Sequence, residues 1–105
     1  MHPIPDNSST ASSSDELDAI RRRRILFRAT HRGTYENDIL IGGFVRARLA
    51  GFSAMELDAL EAVMDLPDAM LSDWLTGRQP IPEEHDGPML RAIRAAALAG
   101  EGRAL

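Results

Sequence analysis

Residues 28–44 read RATHRGTYENDILIGGF, and this stretch places a helix end and a helix start close together. Gly33 stands where a helix typically stops in the left-handed conformation, because glycine has no Cβ to clash there. Thr34 can then cap a second helix, whose positively polarised first turn favours Glu36. The second helix is expected to carry an apolar stripe at helical spacing: Ile41, Phe44, Val45 and Leu49.

Similar helix boundary signals recur along the rest of the chain. Capping-box patterns at residues 13–16 and 53–56 predict the starts of a first and a third helix. Pro67 and Pro88 predict the starts of a fourth and a fifth, since proline is tolerated in a first turn. No stretch shows the sustained period-2 alternation of a β-strand. The sequence therefore predicts an all-α, compact bundle of about five short helices.

The length of the chain, 105 residues, allows one domain. Residues 1–13 are rich in Ser and Pro and lack hydrophobic periodicity, so we expect a disordered tail. The helical domain is expected at residues 14–99 and a flexible C-terminus at residues 100–105. A domain of this size has a thin core, which favours a flat or grooved binding surface over a deep catalytic cleft.

The composition excludes several functional classes. The absence of cysteine excludes disulfides, thiolate metal sites and cysteine nucleophiles, and favours a cytoplasmic location over secretion. No apolar run approaches the length of a membrane span, and the first residues lack the apolar stretch of a secretory signal. His2, His31 and His85 lie far apart, and no serine stands in a G-x-S-x-G elbow. We therefore predict neither an enzyme, nor a metal site, nor a stably bound cofactor.

The net charge of −4 conceals a strong polarity along the chain. Residues 21–48 hold eight arginines against two acidic residues, whereas residues 53–86 hold nine acidic residues against one arginine. This pattern predicts either electrostatic docking to a partner or complementarity within the fold. All twelve basic residues are arginine, which together with abundant alanine is typical of a GC-rich bacterial genome.

The run Arg21–Arg24 keeps an alternative function open, namely a small helical nucleic-acid-binding or regulatory adaptor. The acidic net charge of the chain and the lack of aromatic residues among these arginines argue against nucleic acid. The helix–helix corner offers a different candidate, because turn chemistry explains Gly33 and Glu36 but not Arg32. An exposed Arg and Glu on a rigid turn would make a compact element for binding another protein.

The corner resembles the signature of the succinate dehydrogenase assembly factor 2 family, whose bacterial members are called SdhE. The family pattern is R-G-x-x-E, then x-D, apolar residues and a Phe, and it is matched by Arg32-Gly33-Thr34-Tyr35-Glu36, Asp38, Ile39, Ile41 and Phe44. The stretch PDAMLSDWLTG, residues 67–77, is similar to a second family run that leads from Pro-Asp to a Leu, a Trp and a Gly. The resemblance spans residues 21–98.

This resemblance implies a five-helix fold and a chaperone-like function in enzyme assembly. Such factors bind the flavoprotein subunit of succinate dehydrogenase, in some cases also that of fumarate reductase, and promote covalent attachment of FAD to a histidine there. The resemblance thus implies that flavin and nucleophile belong to the partner. It also implies the residues that bind the partner: Arg32, Gly33 and Glu36, with Asp38 and Arg28 as neighbours on the same surface.

Two departures from the family pattern lie outside R-G-x-x-E. His31 stands where many members have a basic residue, and Ser72 and Asp73 occupy a region where an aromatic residue often lies. They bear on affinity and partner range more than on membership of the family.

Overall fold

The computed structural model describes the backbone of residues 6–100 and the side chains of residues 14–100. Within that range it contains helices and no strand, which confirms the predicted all-α fold. Its five α-helices are α1 Asp6–Thr30, α2 Tyr35–Arg48, α3 Ala54–Met64, α4 Asp68–Leu75 and α5 Pro88–Leu98. Two short 3-10 turns connect them, at Leu49–Gly51 and at Glu83–His85.

The helix starts follow local side-chain chemistry. Thr34 caps α2 by accepting a hydrogen bond from the backbone N–H of Asn37. Ser53 and Glu56 form a reciprocal capping box at the start of α3, and Pro88 occupies the first turn of α5. These three predicted starts are therefore confirmed.

The start predicted for the first helix is wrong, because α1 begins at Asp6 and residues 13–16 lie inside it. Residues 6–13 are mostly Ser, Thr and Asn, which have low helix propensity, so local propensity does not predict this extension of α1. Residues 1–5 and 101–105 lie outside the described residues. Residues 6–13 of the expected disordered tail belong to α1, whereas the disorder expected for residues 1–5 and the flexible end expected for residues 100–105 stay predictions.

Helix α2 lies at the centre of the bundle, where it contacts α1, α4 and α5. Its close approach to α1 depends on the buried Gly42, because a Cβ there would lie 2.9 Å from Cγ2 of Thr30. The core draws on all five helices, and its largest fully buried apolar side chains are Phe44, Ile25, Leu40, Ile41, Leu57, Leu60, Leu71, Leu75, Leu90 and Ile93. The predicted apolar stripe of α2 is buried at three of its four positions, and Leu49 is partly buried against the core.

The basic α1 and the acidic α3 face each other, so much of the charge polarity is complementarity within the fold. Arg21 pairs with Asp58 and Glu61, and Arg28 pairs with Asp65 at 2.8 Å. These pairs are partly exposed, so each contributes little free energy to the fold.

Candidate protein-docking site

The corner between α1 and α2 has the predicted turn geometry. Helix α1 ends at Thr30 and α2 begins at Tyr35. Gly33 lies between them with φ of +105°, a backbone conformation that L-residues rarely adopt. It is exposed, and a Cβ built on it would meet no atom within 4 Å. The corner therefore needs glycine for its backbone conformation and leaves open space above it.

Arg32 is not exposed as the sequence predicted, so that part of the expectation is corrected, while its contact with a partner stays a prediction. Its side chain is only 9% exposed and pairs with Asp68, with 2.6 Å between Nε and Oδ1. Its two terminal nitrogens donate to the backbone carbonyls of Met64 and Leu66, at 2.8 and 3.0 Å. The planar guanidinium thus satisfies three acceptors at the α3–α4 turn and fixes the corner to it.

Asn37 is a buried polar residue that the sequence analysis missed. Its side-chain nitrogen donates to the backbone carbonyl and to Oδ1 of Asp68, at 3.0 and 3.1 Å. Burial raises the pKa of Asp68, but the hydrogen bonds from Arg32 and Asn37 and the charge of Arg32 outweigh that effect. The pKa of Asp68 therefore lies below its ordinary value, and the carboxylate is held in its charged form.

Two further residues of the predicted site also have partners inside the fold. Asp38 accepts a hydrogen bond from the backbone N–H of Arg32 at 2.6 Å, which fixes the corner from its α2 side. Arg28 points to α3, where it pairs with Asp65. Arg32, Asp38 and Arg28 therefore position the corner, and their proposed contact with a partner stays a prediction.

The residues that the corner presents to solvent are Gly33, Thr34, Tyr35 and Glu36. Tyr35 is 82% exposed, the most exposed of the large apolar side chains in the described residues. Glu36 is partly exposed and accepts a hydrogen bond from Ser72 of α4 at 2.6 Å, with Arg78 3.7 Å away. Glu36 is thereby held in place beside the open backbone of Gly33. Together these residues, 33–36, form the docking corner.

The arginine run is divided between the interior and the surface. Arg22 donates to the backbone carbonyls of Leu49 and Phe52, and Arg21 pairs with acids of α3. Arg23 and Arg24 are exposed. Half of the run therefore has acceptors within the fold, and the other half faces solvent.

Comparison with known proteins decides the family. The model of a family described as the flavinator of succinate dehydrogenase matches residues 23–97. The FAD assembly factor SdhE of Acetobacter pasteurianus is 55% identical over 91 residues, which cover 85% of this chain and 83% of that protein. The chain belongs to the flavinator family.

More distant relatives are described as mitochondrial succinate dehydrogenase assembly factors. The mitochondrial succinate dehydrogenase assembly factor 2 of Dictyostelium discoideum is 23% identical over 85% of this chain and 64% of its own length. Assembly factor 2-A of Drosophila ananassae is 31% identical over 88% of this chain and 58% of its own length. No solved structure matches the chain. The bacterial relative is thus matched along most of its length, and these mitochondrial ones along about six tenths.

Membership of the flavinator family confirms the predicted resemblance and the prediction of an assembly factor rather than an enzyme. A flavinator acts on the attachment of FAD to its partner, as predicted. Within the described residues, no group of three or more His, Asp or Glu side chains is placed to hold a metal ion. Nor is any described helix both long and apolar enough to cross a membrane.

The residues that sequence analysis missed, Asp68 and Asn37, sit at the base of the docking corner. Asp68 falls inside the family-like stretch at residues 67–77, so the sequence could have indicated Asp68 as a site residue. The sequence could not have indicated the contact of Asp68 with Arg32. Asn37 occupies an unspecified position of the family pattern and gave no signal. The arrangement as a whole can bind and orient a protein surface by shape, hydrogen bonds and charge.

Proposed function

We propose that this protein binds the flavoprotein subunit of succinate dehydrogenase through the docking corner, and thereby promotes covalent attachment of FAD there. Family membership supports the activity, and the geometry of the corner supports the surface. The proposal also includes the fumarate reductase flavoprotein as a second client where that enzyme is present. We place the encounter in the bacterial cytoplasm.

We choose this surface because of one observation, namely an exposed glycine on a rigid turn. Gly33 presents bare backbone to solvent, so a partner surface can approach it more closely than any other residue type would allow. The contacts of Arg32 and Asp38 keep this backbone in place before the partner arrives. A preorganised surface binds with less loss of conformational entropy than a flexible one.

The contribution of this chain to the chemistry is binding. The histidine that is flavinylated and the FAD both belong to the partner. A bound factor can hold the flavoprotein in the arrangement in which its histidine and flavin meet. Binding then makes this rarely populated arrangement the most populated one. Tyr35 offers apolar contact area and Glu36 offers a carboxylate acceptor at the same corner.

The contacts of the arginine run give less support to the alternative function, a nucleic-acid or regulatory adaptor. It depends on Arg21–Arg24, yet Arg21 and Arg22 are committed to acceptors within the fold. Binding to nucleic acid would weaken steeply as salt concentration rises, which gives a simple way to recognise it.

The experiment that tests the proposal uses the bacterium that carries this protein. Tagged protein is recovered from cells, and in-gel flavin fluorescence of the succinate dehydrogenase flavoprotein is compared with and without the gene. We expect the flavoprotein subunit to co-purify and its fluorescence to be lost in the deletion strain. Normal fluorescence in the deletion strain, with no flavoprotein captured, would contradict the proposal.

A further inference from the structure

The outward side of α1 carries large apolar side chains that the bundle does not bury. Leu17, Ile20 and Phe27 are 65%, 39% and 62% exposed, whereas Ile25 and Ala29 on the inner side are fully buried. Residues three and four apart on a helix lie on the same face. Five residues thus form one row, the outer strip: Leu17, Ile20, Arg24, Phe27 and His31.

The outer strip is continuous with the docking corner. The rings of Phe27 and His31 stack, with centroids 4.0 Å apart and planes inclined by 14°. His31 follows the last residue of α1 and lies two residues before Gly33, so the aromatic pair stands beside the open turn. At the rise of an α-helix the strip extends the exposed surface by roughly 20 Å along α1.

The size of the docking corner gives a reason to look for such an extension. A stable protein–protein interface buries about 800 Å² on each partner, contributed by about 20 residues or more. The docking corner consists of residues 33–36 alone. A partner that makes a specific complex through it must therefore contact neighbouring surface, and the outer strip supplies apolar area there.

The charge of the strip indicates what it binds. Arg23 and Arg24 are exposed, and no acidic residue occurs between Asp18 and Glu36, so the strip is basic from its middle to the corner, while Glu16 and Asp18 flank its Leu17 end. Two copies of the chain packed strip against strip would place Arg24, its middle residue, against Arg24 of the other copy. Like charges in such contact disfavour self-association and favour a partner that carries carboxylates.

We propose that the outer strip binds a segment of the flavoprotein partner that combines apolar side chains with carboxylates. This inference rests on the proposed function and names a second contact surface for the same partner. The apolar side chains of that segment cover Ile20 and Phe27, while its carboxylates pair with Arg23 and Arg24. The strip adds binding free energy and the docking corner sets the orientation.

The test is a binding titration of the full chain with the purified flavoprotein subunit. Phe27→Ala and Arg24→Glu alter the strip, whereas Met55→Ala and Arg46→Glu alter an exposed Met and an exposed Arg elsewhere on the surface. We expect each strip variant to raise the Kd about 10-fold and each control to change it by less than about 2-fold. Circular dichroism of all four variants confirms that they are folded.

The outcomes separate the inference from the proposed function. If wild type binds and Gly33→Arg does not, while both strip variants bind as wild type does, the outer strip is excluded and the proposed function stands. If wild type fails to bind the flavoprotein, the proposed function itself is contradicted. A wild-type dimer in sedimentation velocity that Phe27→Ala dissociates would assign the strip to self-association and overturn the inference.

Discussion

At the scale of single residues, Arg32 shows how a family signature and its structural reason can differ. The sequence predicted that Arg32 is a recognition residue, because the chemistry of the turn explains Gly33 and Glu36 but does not explain Arg32. In the structure its guanidinium reaches one carboxylate and two backbone carbonyls of the α3–α4 turn. A lysine cannot satisfy three acceptors in one plane, so the position requires arginine.

Loss of the Arg32 side chain is expected to destabilise the fold. Arg32→Ala leaves Asp68 and two carbonyls without their partner, and we expect the free energy of unfolding to fall by about 3 kcal/mol. Arg32→Lys should fall between that value and wild type. Urea unfolding followed by circular dichroism measures the change, with the exposed Arg46→Ala as a control of less than about 0.5 kcal/mol. A fall no larger than that of the control would contradict the structural assignment of Arg32.

The lowered pKa of Asp68 predicts how stability depends on pH. Because the pKa is lower in the folded chain than in the unfolded chain, the carboxylate stabilises the fold above its unfolded pKa. That stabilisation is lost as the pH falls through about 4 and then through the folded pKa. We expect wild type to exceed Asp68→Asn in stability at pH 7, and the difference to shrink towards pH 3. Urea unfolding at several pH values measures this difference, and a constant gap would contradict the account.

At the scale of elements, the starts of α2, α3 and α5 were predictable, whereas the start of α1 and the contacts of the corner were not. Thr34, Ser53 and Pro88 act on backbone groups within a few residues, so their effect is visible in sequence. Arg32 and Asp68 meet across 36 residues, and Asn37 is buried because α4 packs over it. Such contacts follow from the packing of the bundle, which local patterns do not specify.

The packing of α1 on α2 gives a prediction at this scale. A side chain at Gly42 would overlap Thr30 and crowd the carbonyl of Ala29, 3.3 Å from a Cβ. We expect Gly42→Leu to lower the free energy of unfolding by about 2 kcal/mol through overpacking. Thermal unfolding measures the effect, and Gly51→Ala is a suitable control because no atom lies within 4 Å of a Cβ there. Equal melting temperatures for the two variants would show that the helices do not approach closely at Gly42.

At the scale of the whole molecule, part of the charge polarity of the sequence is satisfied by ion pairs between the basic and the acidic half of the chain. Arg21, Arg28 and Arg32 meet acidic side chains of the second half. The prediction of internal complementarity is therefore confirmed, and Arg23 and Arg24 remain as exposed basic residues of that run. The family and the fold were thus predictable from short patterns, whereas the division of arginines between interior and surface required the structure.

The central claim is that the docking corner binds the flavoprotein, and two variants of Gly33 test it most directly. Both Gly33→Ala and Gly33→Arg pay the same backbone cost of about 1–2 kcal/mol, because each adds a Cβ at positive φ. Only the arginine fills the open space above the turn.

The measurement is in-gel flavin fluorescence of the succinate dehydrogenase flavoprotein in the deletion strain complemented with each variant at matched protein level. We predict that Gly33→Ala restores most of the fluorescence and that Gly33→Arg restores less than about a tenth. Equal fluorescence from the two variants, whether restored or lost, would contradict docking at this corner.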